Sequence, residues 1–432
     1  MSKVNLEDAF GLFRESIVEP SDEQKRIYTD ELVMWLGIYQ ALEEQSCRGS
    51  LEELGNPRVF ELFGDCKRKW SGKKISSNVS ALIQARQEIK LETLQEALCS
   101  LHQHIRKGHL WRGYRVIGTD GSTVSLNKSN PKLLRAYPGG RDHKGKSRWP
   151  LVHMVLLIDL LEGTVVTGNL GAKYGKNAVS EQSMALELMN YIDEKAVLVG
   201  DRNFGTFQMA KEYSECGVKV LYRLTKTVAK FLAGGEELSD GLDREVAWKP
   251  TTAVRNKHGY EKEDEVRGRL IVRKFKTKKE EVEVSLFTTL EEGSVDELIE
   301  LYKKRWCFEE DLKTMKLQLK LKDVQAETKA SVDVEIFCKL LAFNITRGII
   351  LLAVEGTEID PRRISFKSAF RIVRRYFPAY EEQRSQAAKQ KILEIMLERI
   401  RLVQNPLRPG RSNKRQVYRR RPGRYKTLSS RL

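Results

Sequence analysis

The five residues Ala196–Gly200, AVLVG, are apolar at every position and have a helical pattern on either side. A run this short reads as a strand, and a strand that does not alternate has both of its faces covered. The chain must therefore build a sheet that is covered on both sides and parallel in that part. An acid, Asp201 in VLVGDRNF, follows the carboxyl end of this strand directly.

Other strands group around it. YRVIGTDGSTVSL, Tyr114–Leu126, is an apolar run broken by a polar patch at Thr119–Thr123 that holds Asp120. LVHMVLLIDL and GTVVTGNL read as a hairpin turning at Glu162-Gly163, so three antiparallel strands are the simplest arrangement. A helix is expected from Ser180 to about Asp193, another from Thr206 to Cys216, and a strand over Val218–Leu224. From there to about Leu290 the alternation is β-type, notably in RLIVRKF and EVEVSLF, and predicts an inserted all-β module.

Outside this region the pattern is helical. Residues 1–110 read as an N-terminal helical domain, with Ser21 capping a helix from Asp22 to about Gln45 and a second helix from Val79 to about Ile105. Between them, Pro57–Gln87 fits a small helix-turn-helix-like DNA-binding unit. Helical periodicity returns at Val295 and again over Gln386–Leu402. The expected division is 1–110, a core in two parts (111–225 and 291–403) around a β-rich insertion at 226–290, and a basic tail at 404–432 with no acidic residue.

Charge narrows the function. With 76 Lys and Arg against 59 Asp and Glu, the net charge of +17 is the footprint of a polyanion binder. The apolar stretch Val334–Val354 carries Glu335, Lys339, Asn344 and Arg347, so it reads as a buried helix and not a membrane span. Six cysteines without a C-x-x-C pair fit reduced thiols and argue against a cysteine zinc site. Met1–Asp30 has no signal-peptide layout, and a cytoplasmic, nucleoid-associated location in a bacterium is expected.

The chemistry concentrates on Ile299–Lys320. At about 100° per residue, Tyr302, Arg305, Glu309 and Lys316 fall within roughly 60° of one another, beside an apolar stripe of Leu301, Phe308, Leu312, Met315 and Leu319. A phenol, a guanidinium, a carboxylate and an ammonium then border the buried face. Arg305 and Glu309 alone, at i and i+4, are an ordinary surface ion pair. The whole spacing Y-x2-R-x3-E-x6-K is much rarer, on the order of one chain in several hundred from average residue usage.

Together with TDGSTVSL and VLVGDRNF, this spacing resembles the DDE transposases of bacterial insertion sequences, in the group with a Tyr-Arg-Glu-Lys signature. The resemblance covers about Ser76–Arg424 and departs at Asn203, where a small residue is frequent. It implies an α/β fold with a ribonuclease-H-like core, a mixed sheet flanked by helices. It also implies cut-and-paste excision and integration by two-metal phosphodiester hydrolysis and strand transfer. Asp120, Asp201 and Glu309 would be the catalytic metal ligands for two Mg²⁺ ions, for which Mn²⁺ can substitute. Arg305, Lys316 and Tyr302 would hold phosphates of the transposon end. The implied partners are double-stranded DNA, as terminal inverted repeats and target, and a second copy of the chain in a synaptic homodimer, with no membrane.

Trp248, in the expected β insertion, is a candidate to stack on an unpaired base, against the ordinary alternative of a core tryptophan. His102 and His104 form an H-x-H without companion ligands, His143 and His153 read as structural, and Glu181 reads as a helix-start acid rather than a fourth ligand. Two other readings keep part of this picture: a ribonuclease-H-like nuclease or resolvase without strand transfer, and a non-enzymatic DNA-binding protein derived from a transposase.

Overall fold

The computed structural model describes residues 28–52, 79–127, 129–142, 145–146, 149–276, 281–381, 383 and 385–406. The Ser21 cap, His143, most of the helix-turn-helix-like unit and the basic tail beyond Pro406 lie outside the described residues.

The N-terminal region contributes α1 (Asp30–Glu43), α2 (Cys47–Glu52), α3 (Ser80–Glu88) and α4 (Leu91–Ile105). Thr29 caps α1 by accepting the Leu32 N–H, and Glu44 ends it in the left-handed region at φ 56°. The single helix expected from Val79 to Ile105 is two, because Ile89 and Lys90 are extended at ψ 125° and 152°.

Then come β1 (Arg115–Ser125), α5 (Pro131–Ala136), a two-stranded ribbon of β2 (Arg141–Asp142) and β3 (Gly145–Lys146), β4 (Leu151–Asp159), β5 (Val165–Ala172) and α6 (Glu181–Leu186). They are followed by β6 (Ala196–Gly200), α7 (Phe207–Glu215), β7 (Lys219–Arg223), α8 (Lys226–Leu232), β8 (Asp243–Trp248), α9 (Thr252–His258), β9 (Val266–Lys276) and β10 (Glu281–Thr288). The chain closes with α10 (Val295–Lys303), α11 (Arg305–Gln318), α12 (Lys329–Val354), α13 (Phe366–Glu381) and α14 (Gln386–Leu402).

The protein is a mixed α/β structure around one eight-stranded sheet, ordered β5-β4-β1-β6-β7-β10-β9-β8. β5, β4 and β1 are antiparallel neighbours, as the expected hairpin implies, and Gly163 lies in the β4–β5 turn at φ 80°. β1, β6 and β7 run parallel, which accounts for the unbroken apolar run of β6. The insertion is not all β and not a separate module. β10 pairs with β7 and carries the same sheet outward, and α8 and α9 lie within the segment.

Alternation along the strands sorts side chains between two cores. Val116, Val124, Val197, Val199, Leu221 and Leu286 face a front layer that includes α1, α4, α11 and α12. Ile117, Leu198, Val220, Tyr222 and Phe287 face a back layer with α6, α7 and α8. The helices before β1 thus share the front core of the sheet and have no core of their own among the described residues.

α12 is the one described helix long and apolar enough to cross a membrane, and 89% of its most apolar window is buried by protein. Its polar residues are used internally. Asn344 donates to Val165 O (2.7 Å) and accepts from Val165 N (2.8 Å), tying the helix to β5. Arg347 donates to Asp311 Oδ1 on α11 (2.6 Å), and Arg362 takes the other oxygen of the same carboxylate (2.5 Å). Arg362 also reaches the carbonyls of Leu160 and Asp159, so one buried Arg-Asp-Arg triad fixes α11 against α12 and the β4–β5 turn.

Candidate active site

The parallel register of β1 and β6 does the first part of the work. Arg115 to Thr119 pair in turn with Ala196 to Gly200, so the next residues on each strand, Asp120 and Asp201, are neighbours at the carboxyl ends. Adjacent strands lie about 4.8 Å apart, so the two carboxylates share one small region. Both acids have the parity of the front-facing residues, Val116 and Val124 on β1 and Val197 and Val199 on β6. The front face is where α11 lies across β1, seated by Phe308 and Met315.

α11 brings the rest. Arg305 Nη2 donates to Glu309 Oε1 (3.0 Å), and Arg305 Nη1 lies 3.6 Å from Asp120 Oδ2. Lys316 Nζ donates to Ser122 Oγ (2.5 Å), two residues beyond Asp120 on the same face of β1. Tyr302 stands beside Arg305, Arg223 and Asp201, and burial raises its phenol above the ordinary value. Asp120, Asp201, Tyr302, Arg305, Glu309 and Lys316 therefore converge on one face of the sheet.

The helix that carries the last four is not continuous. α10 ends at Lys303 and α11 begins at Arg305, with Lys304 N–H bonding Leu301 O (3.0 Å) and Cys307 N–H bonding Lys304 O (2.8 Å). These three-residue spacings tighten the turn where the helix passes from packing on β9 to packing on β1. α10 is started independently by a capping box of Ser294 and Glu297.

Burial is the largest influence on the charged groups of the site. Asp120 is pushed up to about 6, first by burial and then by the carboxylates of Asp201 and Glu181, against the Gly121 N–H bond and Arg305. Burial also lowers Lys316, which the neighbouring Lys322 reinforces and Asp120 opposes. Among the described residues, no three His, Cys, Asp or Glu side chains are gathered closely enough to hold a metal ion as they lie. The reason is visible: the Arg305 guanidinium stands between Asp120 and Glu309 and takes the carboxylate of the latter. Asp120 and Asp201, oxygen donors on neighbouring strand ends, have the chemistry that a shared hard cation takes. Glu309 fits only after turning away from Arg305.

A profile of the family described as "Transposase DDE domain" matches residues 111–345, more than half of the chain. The chain belongs to that family. The matched DDE domain spans β1 through most of α12 and contains all of the converging residues. One solved structure, described as the cryo-EM structure of piggyBac transposase synaptic complex with hairpin DNA, is similar over 94% of this chain and 86% of its own, at 10% identity and a TM-score of 0.40. No curated protein sequence matches the chain.

Trp248 does not join the site of this DDE transposase. It is 4% exposed and meets Phe207 and Phe287 edge to face, at centroid distances of 6.3 and 4.9 Å, so its ring belongs to the back core and presents no face to a base. The exposed aromatic beside the site is Trp306, 52% exposed, with the Arg305 guanidinium 5.4 Å from its ring centroid. Its position next to Arg305 and off the apolar stripe was the available signal. His102 is a buried partner of Thr164 Oγ1 (2.9 Å) and His104 is exposed. His153, in contrast, joins Glu181 behind the site, and a histidine inside the apolar run of β4 was the sign that a polar partner had to exist.

Proposed function

We propose that the protein is a cut-and-paste transposase that excises and integrates an insertion sequence by phosphodiester hydrolysis and strand transfer, on a ribonuclease-H-like core. The observation that carries this reading is the placement of Asp120 and Asp201 on adjacent parallel strand ends, beneath a helix that brings Arg305 and Glu309 to the same face. Asp120 and Asp201 would hold divalent ions, Mg²⁺ or in its place Mn²⁺, with Glu309 as the third ligand. When bound, such a pair of ions activates the attacking oxygen and stabilises the leaving one.

The chain's own groups account for substrate handling. Arg305 is a planar fork suited to a phosphate, and its present pairing with two carboxylates is the kind of contact that a phosphate oxygen replaces. Lys316 and Tyr302 flank it as a point charge and a hydroxyl donor. The partner is double-stranded DNA bearing terminal inverted repeats, engaged by a homodimer that brings two ends together. The net charge of +17 supports a polyanionic partner.

The test is to incubate the protein with Mg²⁺, a linear DNA carrying the repeats that flank its gene, and a target plasmid. Cleavage at the repeat boundary followed by joining is expected. Cleavage without joining would leave a nuclease, and binding without cleavage would leave a DNA-binding derivative.

A further inference from the structure

Behind the sheet, opposite the acids, one carboxylate touches both catalytic strand ends. Glu181 opens α6, and its side chain lies where a Cβ at Gly121 would have to be, with Cδ only 2.3 Å from that position. A side chain at residue 121 would have to displace the Glu181 carboxylate, so this contact uses the glycine after Asp120. The other oxygen of Glu181, Oε2, accepts from Asn203 Nδ2 (2.6 Å). Asn203 in turn donates its backbone N–H to Asp201 Oδ1 (2.8 Å), and its carbonyl accepts from Gln182 Nε2 (2.5 Å).

Glu181 is itself held. Its Oε1 lies 3.1 Å from His153 Nε2 and 3.3 Å from Lys173 Nζ. The buried ring of His153 is oriented by Val179 O, 3.1 Å from Nδ1, and its Nε2 also lies 3.2 Å from Lys173 Nζ. These partners, His153 first, hold the Glu181 carboxyl down at about 2.

We propose that Glu181 is a positioning residue which sets the carboxylate of Asp201 through Asn203 and braces the strand of Asp120 from the far side of the sheet. This rests on the transposase reading for its consequence, though not for its geometry. Outer partners that orient metal-binding carboxylates typically change metal affinity by about 10- to 100-fold when removed.

The experiment is a double-mutant cycle on Glu181→Ala and Asn203→Ala in the full chain. It reads Mn²⁺ binding by electron paramagnetic resonance, with and without end DNA, and the Mn²⁺ dependence of strand cleavage. Asn203→Ala should weaken Mn²⁺ binding by about tenfold, with an unchanged melting temperature and unchanged affinity for end DNA. The cleavage deficit should shrink at saturating Mn²⁺, which a merely structural role would not produce. The double variant should be no weaker than Glu181→Ala alone. Glu181→Gln, whose amide oxygen still accepts from Asn203, should retain more than Glu181→Ala and serves if the alanine variant does not fold.

Wild-type Mn²⁺ binding and metal dependence in Asn203→Ala, or additive losses in the double variant, would overturn the proposal. A wild-type protein that binds Mn²⁺ but cleaves no end would sink the transposase reading alone, since the cycle on Mn²⁺ binding still decides the role of Glu181. A protein that takes up no Mn²⁺ with or without DNA would overturn both.

Discussion

Arg305 donates to Glu309 across 3.0 Å, one helical turn along α11, and lies 3.6 Å from Asp120, so one guanidinium bridges the two acids. This arginine is a counter-charge of both carboxylates. Its removal should let Glu309 turn and strengthen the demand for a cation. Arg305→Ala is expected to bind Mn²⁺ several-fold more tightly than wild type without DNA, while losing cleavage of end DNA for want of a phosphate partner. Paramagnetic resonance titration and a gel cleavage assay measure the two. Weaker Mn²⁺ binding in the variant would show that Arg305 does not compete with the ion.

The position of α11 depends on Asp311, 1% exposed between Arg347 and Arg362. Removing the carboxylate leaves two guanidinium groups buried without their counter-ion, a change that typically costs about 3–5 kcal/mol. Asp311→Ala should therefore lower the denaturation midpoint strongly. Because α11 carries Glu309, cleavage should also fall in whatever protein remains folded. A loss under about 1 kcal/mol would mean that water reaches the triad.

The strand skeleton was legible because its signals are local. The bare apolar run of β6 gave a covered parallel strand, the turn at Glu162-Gly163 gave the β5-β4-β1 meander, and the last helix was placed at Gln386–Leu402 as observed. What escaped depends on tertiary pairing. Periodicity in 226–290 shows strands, and nothing in it tells that β10 joins β7; the short capped helices α8 and α9 fall below the length at which periodicity speaks. The break at Lys304 arises from packing on two different strands, so a continuous pattern concealed it. Glu181 was read correctly as a first-turn acid, but its contacts with Gly121, His153 and Asn203 join four separate stretches of chain. The convergence of Asp120 with Asp201 was expected from resemblance, and the register of β1 on β6 supplies its geometric cause.

The two tryptophans should separate cleanly. Trp248 fills the back core against Phe207 and Phe287, so Trp248→Ala should cost about 3–5 kcal/mol in chemical denaturation. Trp306 is half exposed beside Arg305, and Trp306→Ala should leave stability within about 0.5 kcal/mol. Stacking of a base on an exposed ring is worth about 1–3 kcal/mol, so cleavage of end DNA by Trp306→Ala should fall by roughly ten- to a hundredfold. An undiminished rate would remove Trp306 from substrate handling.

His102 gives the fold a defined acid sensitivity. Burial drives its imidazole from 6.5 down to about 3, with the nearby Arg115 adding to the effect, so the native protein keeps it neutral against Thr164. The unfolded chain takes up the proton near 6.5, and the native one does not until about 3. The stability from this group is therefore complete above pH 6.5 and is lost progressively as pH falls through that window, by about 3 kcal/mol at pH 4. Asp159, raised to about 6 chiefly by burial, works the other way and gains stability as pH falls, but it is common to both proteins in a comparison. His102→Gln keeps a polar side chain beside Thr164 and cannot take up the proton. Its stability difference from wild type, followed by denaturant unfolding between pH 7.5 and 4, should shift in favour of the variant as the pH drops. A difference that stays constant across that range would mean that His102 is protonated in the folded protein.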